Sequence, residues 1–246
     1  MRTFTSLEQS ASVIVYSATR GQFTEDVFSN VIESRILAAF ECRLGQSTSK
    51  REIESWKNSM QYMNNVLVGN SIPEDAGVAI EYRIPLTSKR VDFILTGRDA
   101  EGNDNAVVVE LKQWSEVDAT DKDAVVVTVI NGAKRETLHP SYQAWTYAAL
   151  IRDFNETVQE HAIQLYPCAY LHNCTSDAVV NADRYAAHTQ RAPAFAAAGC
   201  GRSAAIRLRK RSCYMARTFE REERARQSPA LTSSAPRGAS ANRRGA

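Results

Sequence analysis

The chain has 246 residues, which is enough for one ordinary domain with an appendage. Its 43% hydrophobic and 24% charged residues are typical of a globular protein and exclude a disordered chain. No run of about 18 apolar residues occurs, so the sequence predicts no membrane-spanning helix. The first residues also lack the apolar core of a secretory signal.

Five cysteines are scattered along the chain: Cys42, Cys168, Cys174, Cys200 and Cys213. The closest pair, Cys168 and Cys174, does not have zinc-binding spacing. We therefore expect a reduced, cytoplasmic protein, since structural disulfides belong to oxidising compartments.

The net charge of +2 hides an uneven distribution along the chain. Residues 1–180 carry 16 Lys and Arg against 24 Asp and Glu, a net charge of −8, whereas residues 181–246 carry 14 against 4, a net charge of +10. This asymmetry predicts an acidic domain followed by a basic tail. Three interpretations of the tail stay open: a segment that binds nucleic-acid phosphates, a solvated disordered end, or out-of-frame translation, which we favour.

The hydrophobic pattern predicts an alternation of strands and helices. Apolar residues alternate or run together in six segments that we interpret as strands: 13–19, 78–84, 90–96, 106–114, 124–130 and 163–173. An apolar stripe marks three segments that we interpret as helices: 24–41, 51–67 and 139–155. Thr24 is the expected cap of the first helix, and Pro140 and Ser141 mark the start of the third. This order is typical of an α/β sheet with helices on its faces.

The segment VVVELKQW, residues 107–114, places two charged residues inside a strand of valines. Side chains alternate between the faces of a strand, so Glu110 and Lys112 share one face. If the strands at 90–96 and 106–114 form an antiparallel hairpin, Asp92 lies beside both. Two carboxylates on adjacent strands suit Mg²⁺, and a nearby lysine can orient an attacking water. The alternative is a salt bridge on a solvated face.

These residues carry a family resemblance. RVDFIL, then the 17 residues between Asp92 and Glu110, then ELK resemble the D-x(n)-E-x-K core of the PD-(D/E)XK nuclease superfamily. QAWTY resembles the Q-x-x-x-Y element that RecB-type members carry on the following helix. Four longer blocks are similar to the nuclease-like domain that precedes a Schlafen-type P-loop helicase in a bacterial family: IPEDAGVAIEYRIPLTSKRVDFILTG, ELKQWSEVDATDKDAVV, HPSYQAWTYAALIRDFNETVQE and YPCAYLHN. The likeness covers about residues 13–195.

The resemblance implies a fold and a domain organisation. The implied fold is a restriction-endonuclease-like mixed sheet flanked by helices at 13–180. An overhang at 1–12 precedes it, and the basic, weakly structured tail at 181–246 follows it. The chain has no G-x-x-x-x-G-K-[ST] motif, so we expect no nucleotide site and no ATP-driven motor in it. A helicase domain or subunit outside this chain is an implied partner.

The resemblance also implies a site and an activity. Asp92 and Glu110 would bind Mg²⁺ or Mn²⁺, with the Leu111 carbonyl as a further ligand. Lys112 would serve the attacking water. Two helix residues would position the substrate or the active site: Gln143 and Tyr147. The implied activity is metal-dependent hydrolysis of nucleic acid, DNA rather than RNA. The alternative is a catalytically silent nucleic-acid-binding module or a truncated remnant of a helicase-containing protein.

Other residues keep two interpretations each. Three acids are either surface charges, as we expect, or further metal ligands: Glu33, Glu54 and Glu81. His139 is either structural, as we expect, or a proton carrier, and His172 has no paired ligand at metal spacing. Three tryptophans either fill the core or stack on bases: Trp56, Trp114 and Trp145. Two basic residues either contact phosphate or are solvated turn charges: Lys89 and Arg90.

Overall fold

The computed structural model describes residues 13–68, 72–98 and 102–197. In chain order the strands are β1 (Val13–Thr19), β2 (Gly77–Arg83), β3 (Arg90–Arg98), β4 (Asp104–Lys112), β5 (Val117–Ala119), β6 (Val125–Ile130), β7 (Ala133–Leu138), β8 (Gln164–Leu171) and β9 (Ala194–Ala196). The helices are α1 (Arg20–Phe28), α2 (Ile32–Leu44), α3 (Lys50–Val68), α4 (Pro140–Phe154), α5 (Glu156–Glu160) and α6 (Ala186–Thr189). Among these described helices, none is long and apolar enough to cross a bilayer.

Six strands form one mixed sheet in the order β1-β2-β3-β4-β8-β9. The strands from β1 to β4 pair antiparallel, whereas β8 and β9 continue the sheet from β4 in parallel. A parallel neighbour requires a crossover, and α4 lies in the connection from β4 to β8 and packs on both strands. The sequence-based expectation of an α/β sheet with flanking helices is therefore confirmed.

The two faces of the sheet are buried under different helices. Val107 and Val109 pack with residues of α1, α2 and α3, and we call this cluster the α3-side core. Ala106 and Val108 pack with residues of α4 and α5, and we call this cluster the α4-side core. Burial on both faces explains the unbroken run of valines in β4, because neither face can carry ordinary polar residues.

The helix expected at 24–41 is two helices with a different cap. Thr19 caps α1: its hydroxyl accepts from the N–H of Gln22 at 3.2 Å, and its own N–H donates to the Gln22 side chain at 3.3 Å. Asn30 then takes a left-handed φ of +54°, and the chain restarts as α2. The prediction that Thr24 caps the helix is wrong, because this capping box starts the helix one turn earlier.

A second sheet, β5-β6-β7, is inserted between β4 and α4. Its central strand was expected, and the NG signal after it is confirmed as a tight hairpin turn, since Asn131 and Gly132 both have positive φ. The flanking strands were not expected. β5 has three residues, and β7 reads AKRETL, in which no apolar alternation occurs.

The folded region continues beyond residue 180, where the basic tail was expected to begin. A 3₁₀ turn at Asp183–Tyr185 and α6 lead into β9, which pairs with β8. Tyr185 is buried, and Phe195 joins the α3-side core. The described fold therefore extends slightly beyond residue 180, because the alanine-rich sequence contains a short strand that pairs with β8. The tail beyond 197 and the overhang at 1–12 lie outside the described residues.

We expect the chain cut after Ala197 to be markedly more stable than the chain cut after Val180. The shorter chain loses β9 and the buried side chains of Tyr185 and Phe195, which together are worth about 3 kcal/mol or more. Urea unfolding of both chains, followed by circular dichroism, measures the difference. Equal midpoints and slopes would contradict the observed boundary.

We also expect Thr19→Ala to lower the free energy of unfolding by about 1 kcal/mol, because it removes the cap of α1. Thr24→Ala is the matched control. Its hydroxyl is buried without a hydrogen-bond partner, and alanine is the better helix former, so that change should be neutral or stabilising. Chemical denaturation of both variants tests the assignment, and the reverse order of effects would refute it.

Candidate active site

The β3–β4 hairpin brings Asp92 and Glu110 together. Phe93 pairs with Val109, and one residue further the two strands present Asp92 opposite Glu110. The main-chain pairing of the two strands ends here. The N–H of Leu111 donates to the Asp92 carboxylate at 2.8 Å instead of to a main-chain carbonyl. The expectation that Asp92 lies beside the ELK segment is confirmed.

Lys112 links the strand acids to α4. Its Nζ donates to Oε1 of Glu110 at 2.6 Å and to Oε1 of Gln143 at 3.1 Å. The side-chain amide of Gln143 donates in turn to the hydroxyl of Tyr147 at 2.9 Å. Gln143 and Tyr147 are four residues apart and therefore on one helix face, which α4 turns toward β4 and β8. The structure thus gathers five sequence-selected residues into one chain of contacts.

The charges of the cluster are strongly coupled. Burial, followed by the Asp92 charge, raises the pKa of Glu110 to about 8. Burial also raises the pKa of Asp92, against the opposing effect of Lys112. Burial lowers the pKa of Lys112, but Glu110 and Asp92 outweigh it and the net pKa is raised. Lys112 is consequently a protonated donor in this arrangement rather than a base.

Glu81 joins the same cluster, and the expectation that it is a surface charge is wrong. The β2–β3 register places Glu81 opposite Asp92, and its side chain is buried. The indole N–H of Trp56 donates to it at 2.8 Å, and a guanidinium nitrogen of Arg90 lies 3.0 Å away. Burial and then Asp92 raise the pKa of Glu81 to about 7. Its left-handed φ of +55° is unusual for a buried, non-glycine strand residue and is typical of functional sites.

The other two acids do not join the carboxylates. Glu33 pairs with Lys57 at 3.6 Å, and Glu54 is exposed on α3, where it lines the cavity described below. Only Glu81 could have been recognised in the sequence, since it follows the apolar residues VAI within the segment VAIEYRI, but alternation places it on one face with Arg83 and so predicts a polar face.

The two basic candidates have different surroundings. Arg90 is held between Glu52, at 2.9 Å, and Glu81, and its guanidinium also lies 5.5 Å from the centroid of the Phe40 ring. Lys89 is exposed at the edge of the cavity. Of the two, Lys89 is the side chain positioned to meet an incoming anion first.

Both histidines are bonded within the fold, and His139 has the structural role expected of it. His139 is buried and caps α4, with Nδ1 accepting the Ser141 N–H at 3.2 Å. The helix begins at Pro140, so the expectation that Pro140 and Ser141 mark its start is confirmed. Burial lowers the pKa of His139 to about 4, so its ring is neutral. His172 lies 3.1 Å from the hydroxyl of Ser59, and burial lowers its pKa as well.

The residues present fit a hard divalent cation. No group of three or more His, Cys, Asp or Glu side chains in the described ranges is arranged to hold a metal. Mg²⁺ commonly uses only one or two carboxylates and keeps its waters. Oε2 of Glu110 is buried beside Asp92 and has no hydrogen-bond partner. In a strand the N–H and the C=O of one residue point to the same side. Because the N–H of Leu111 points to Asp92, its carbonyl does so as well. These three residues would hold the ion.

The cluster opens into a cavity of about 750 Å³ at the end of the large sheet. One wall is α3, and the end of β6 contributes another through Val129 and Ile130. Asp92, Lys112 and Tyr147 also line the cavity, so an anion that enters it reaches the cluster. A buried, charged group in a cavity of this size is the usual setting of an active site.

The chain was compared with protein-family models, curated proteins and solved structures, and none of them matches it. The interpretation of the site therefore depends on its own geometry and on the resemblance of its motifs.

We expect Glu110→Gln to stabilise the cation-free protein increasingly as the pH rises. A folded-state pKa of about 8 against a model value of 4.5 means that Glu110 contributes stability below pH 4.5, which is lost as the pH rises through 8. The variant removes this loss. Thermal unfolding in EDTA at pH 5, 7 and 9 should give a difference in Tm of a few degrees that grows with pH.

The same melts test the cation. Addition of Mg²⁺ or Mn²⁺ should raise the Tm of the wild type, because a bound ion neutralises both carboxylates, and should leave Glu110→Gln nearly unchanged. Glu116→Gln, an exposed glutamate beyond β4, is the matched control and should behave as the wild type. An equal rise in all three proteins would show that the ion binds elsewhere.

Proposed function

We propose that the protein hydrolyses phosphodiester bonds of nucleic acid, DNA in preference to RNA, with Mg²⁺ or Mn²⁺. The observation that carries the proposal is the convergence of Asp92, Glu110 and Lys112 at one point of a cavity. The Gln143–Tyr147 pair adds to it, since it contacts Lys112 from the following helix. This arrangement supports the resemblance to the PD-(D/E)XK superfamily and, with it, a restriction-endonuclease-like fold.

Asp92 and Glu110 would hold the cation, and the Leu111 carbonyl would be a further ligand. When bound, Mg²⁺ supplies positive charge that polarises the phosphate and favours ionisation of the attacking water. The chain itself contributes a fixed, partly buried ammonium group. Lys112 donates hydrogen bonds to the attacking water or to a phosphate oxygen and offsets the charge that develops in the transition state.

Gln143 and Tyr147 act through Lys112. A lysine side chain is flexible, and the hydrogen bond from Nζ to Gln143 fixes its end. The Tyr147 hydroxyl accepts from Gln143 and so fixes the amide orientation. Both are positioning residues in this proposal, and Lys89 at the cavity edge contacts a flanking phosphate.

One observation favours the alternative of a catalytically silent module. The Glu110–Lys112 ion pair at 2.6 Å satisfies one oxygen of Glu110 without any cation, and residues 1–180 carry a net charge of −8. In this alternative the cluster is an inherited structural feature, and a helicase-type partner outside this chain supplies the activity. Cleavage assays separate the two.

We expect the full-length protein to cleave end-labelled DNA with Mg²⁺ or Mn²⁺ and to be inactive in EDTA. Asp92→Ala should abolish cleavage, because it removes a cation ligand. Lys112→Ala should lower the rate by about 10²- to 10³-fold, the usual loss for one transition-state donor. Gel analysis of single- and double-stranded DNA and RNA measures both.

Lys134→Ala is the matched control for the lysine change, because Lys134 is exposed and pairs with Asp118 in the second sheet. It should cleave at the wild-type rate. If folded wild-type protein cuts none of the four substrates with either ion, the silent module replaces the nuclease.

A further inference from the structure

The reactive groups are largely buried. Glu110 is 2% exposed, and the side chain of Lys112, which lines the cavity, is 16% exposed. A phosphate meets Lys112 only if the strand that carries it enters the cavity. The size of the cavity therefore limits which nucleic acids can react.

Two elements that line the cavity, α3 and the β6–β7 hairpin, are in contact. Arg51, in the first turn of α3, bonds through its guanidinium to the side chain of Asn131 at the tip of the β6–β7 hairpin. Both Arg51 and the neighbouring Ile130 line the cavity. A volume of about 750 Å³ is that of a small-molecule site, which accommodates separate nucleotides. The bases of a DNA duplex are paired and stacked on one another, so a duplex cannot place a base in such a space without opening.

An aromatic side chain lies next to the reactive lysine. Trp114 follows Lys112 by two residues, and Nζ of Lys112 lies 5.4 Å from the centroid of the Trp114 ring. The indole is half-buried: it packs against a cluster that contains Leu171 and Val180, and it also lines the cavity. A base that stacks on the cavity side of this ring brings its own phosphate close to Lys112. Stacking of this kind requires an unpaired base and is tolerant of sequence.

We propose that the substrate of this site is a single strand, or an unpaired end, of nucleic acid, and that Trp114 is the platform on which one base stacks. This inference rests on the proposed nuclease function and specifies its substrate class. It also assigns a task to the second sheet: the end of β6 forms a wall of the cavity, and the tip of the β6–β7 hairpin contacts α3.

Substitutions at Trp114 test the platform. Trp114→Leu keeps the apolar packing and removes the ring, and we expect it to raise KM for a single-stranded oligonucleotide about tenfold or more with a smaller effect on kcat. Trp114→Phe keeps an aromatic ring and should have a KM close to that of the wild type. Trp145→Phe is the control: Trp145 is also half-buried, its ring lies 4.7 Å from the Arg191 guanidinium, and it is not among the cavity-lining residues of the described chain.

A binding measurement separates this inference from the nuclease proposal. In protein silenced by Lys112→Met, with Mg²⁺ present, a single-stranded oligonucleotide should quench tryptophan fluorescence. The quench should persist with Trp145→Phe and be largely lost with Trp114→Phe, in which Trp56 is the remaining tryptophan that lines the cavity. A blunt duplex of the same sequence should neither quench nor, with the active protein, be cut at more than about a tenth of the single-strand rate.

Each result has one meaning. A duplex cut as fast as a single strand, or a KM unchanged in Trp114→Leu, overturns the substrate inference and leaves the nuclease intact. A Trp114-dependent quench without any cleavage supports the platform and overturns the nuclease. Cleavage of single strands with the Trp114 quench supports both.

Discussion

Two carboxylates, Asp92 and Glu110, are packed side by side where β3 begins and β4 ends, and much of the surrounding structure compensates their charge. Moving an ionised carboxylate from water into a protein costs several kcal/mol even after relaxation. The raised pKa of Glu110 is the direct sign of that cost. Lys112 offsets part of it, whereas Arg90 is engaged mainly by Glu81 and Glu52. A divalent cation, as proposed, would compensate the carboxylates when they are ionised.

The backbone is distorted at the same level of the sheet. Ile80 faces the α3-side core, whereas Tyr82 faces the α4-side core, so regular alternation is interrupted between them at Glu81. Its left-handed conformation costs about 1–3 kcal/mol and persists because Trp56 and Arg90 hold the carboxylate. As a consequence, the end of the sheet is open between α3 and α4, and side chains from both helices line one cavity.

Local patterns in the sequence were sufficient to predict the acids on the strands and the helix that connects β4 to β8. Asp92, Glu110 and Lys112 stand out because each interrupts an apolar strand, and an antiparallel hairpin leaves little choice of register. The burial of Glu81 was missed because it depends on the left-handed backbone conformation of this residue, which the alternation of polar and apolar residues does not indicate. The strand β9 was missed because its pairing with β8 is a tertiary contact and its sequence, Ala-Phe-Ala, has no period of its own. The split between α1 and α2 depends on one left-handed residue, Asn30, inside an otherwise helical pattern.

Under the proposed function an acidic domain binds an anion, and this needs a local explanation. At physiological salt, exposed charges are screened beyond about 8 Å, so the net charge of −8 over residues 1–180 matters less than the groups at the site. Burial raises the pKa of Glu110 to about 8, so without a cation this side chain is largely protonated at neutral pH. In the proposed nuclease a divalent cation would favour ionisation of Glu110 and offset its charge, and Lys112 would then be the cation of the chain nearest to a phosphate. Substrate affinity would in that case depend on the ion.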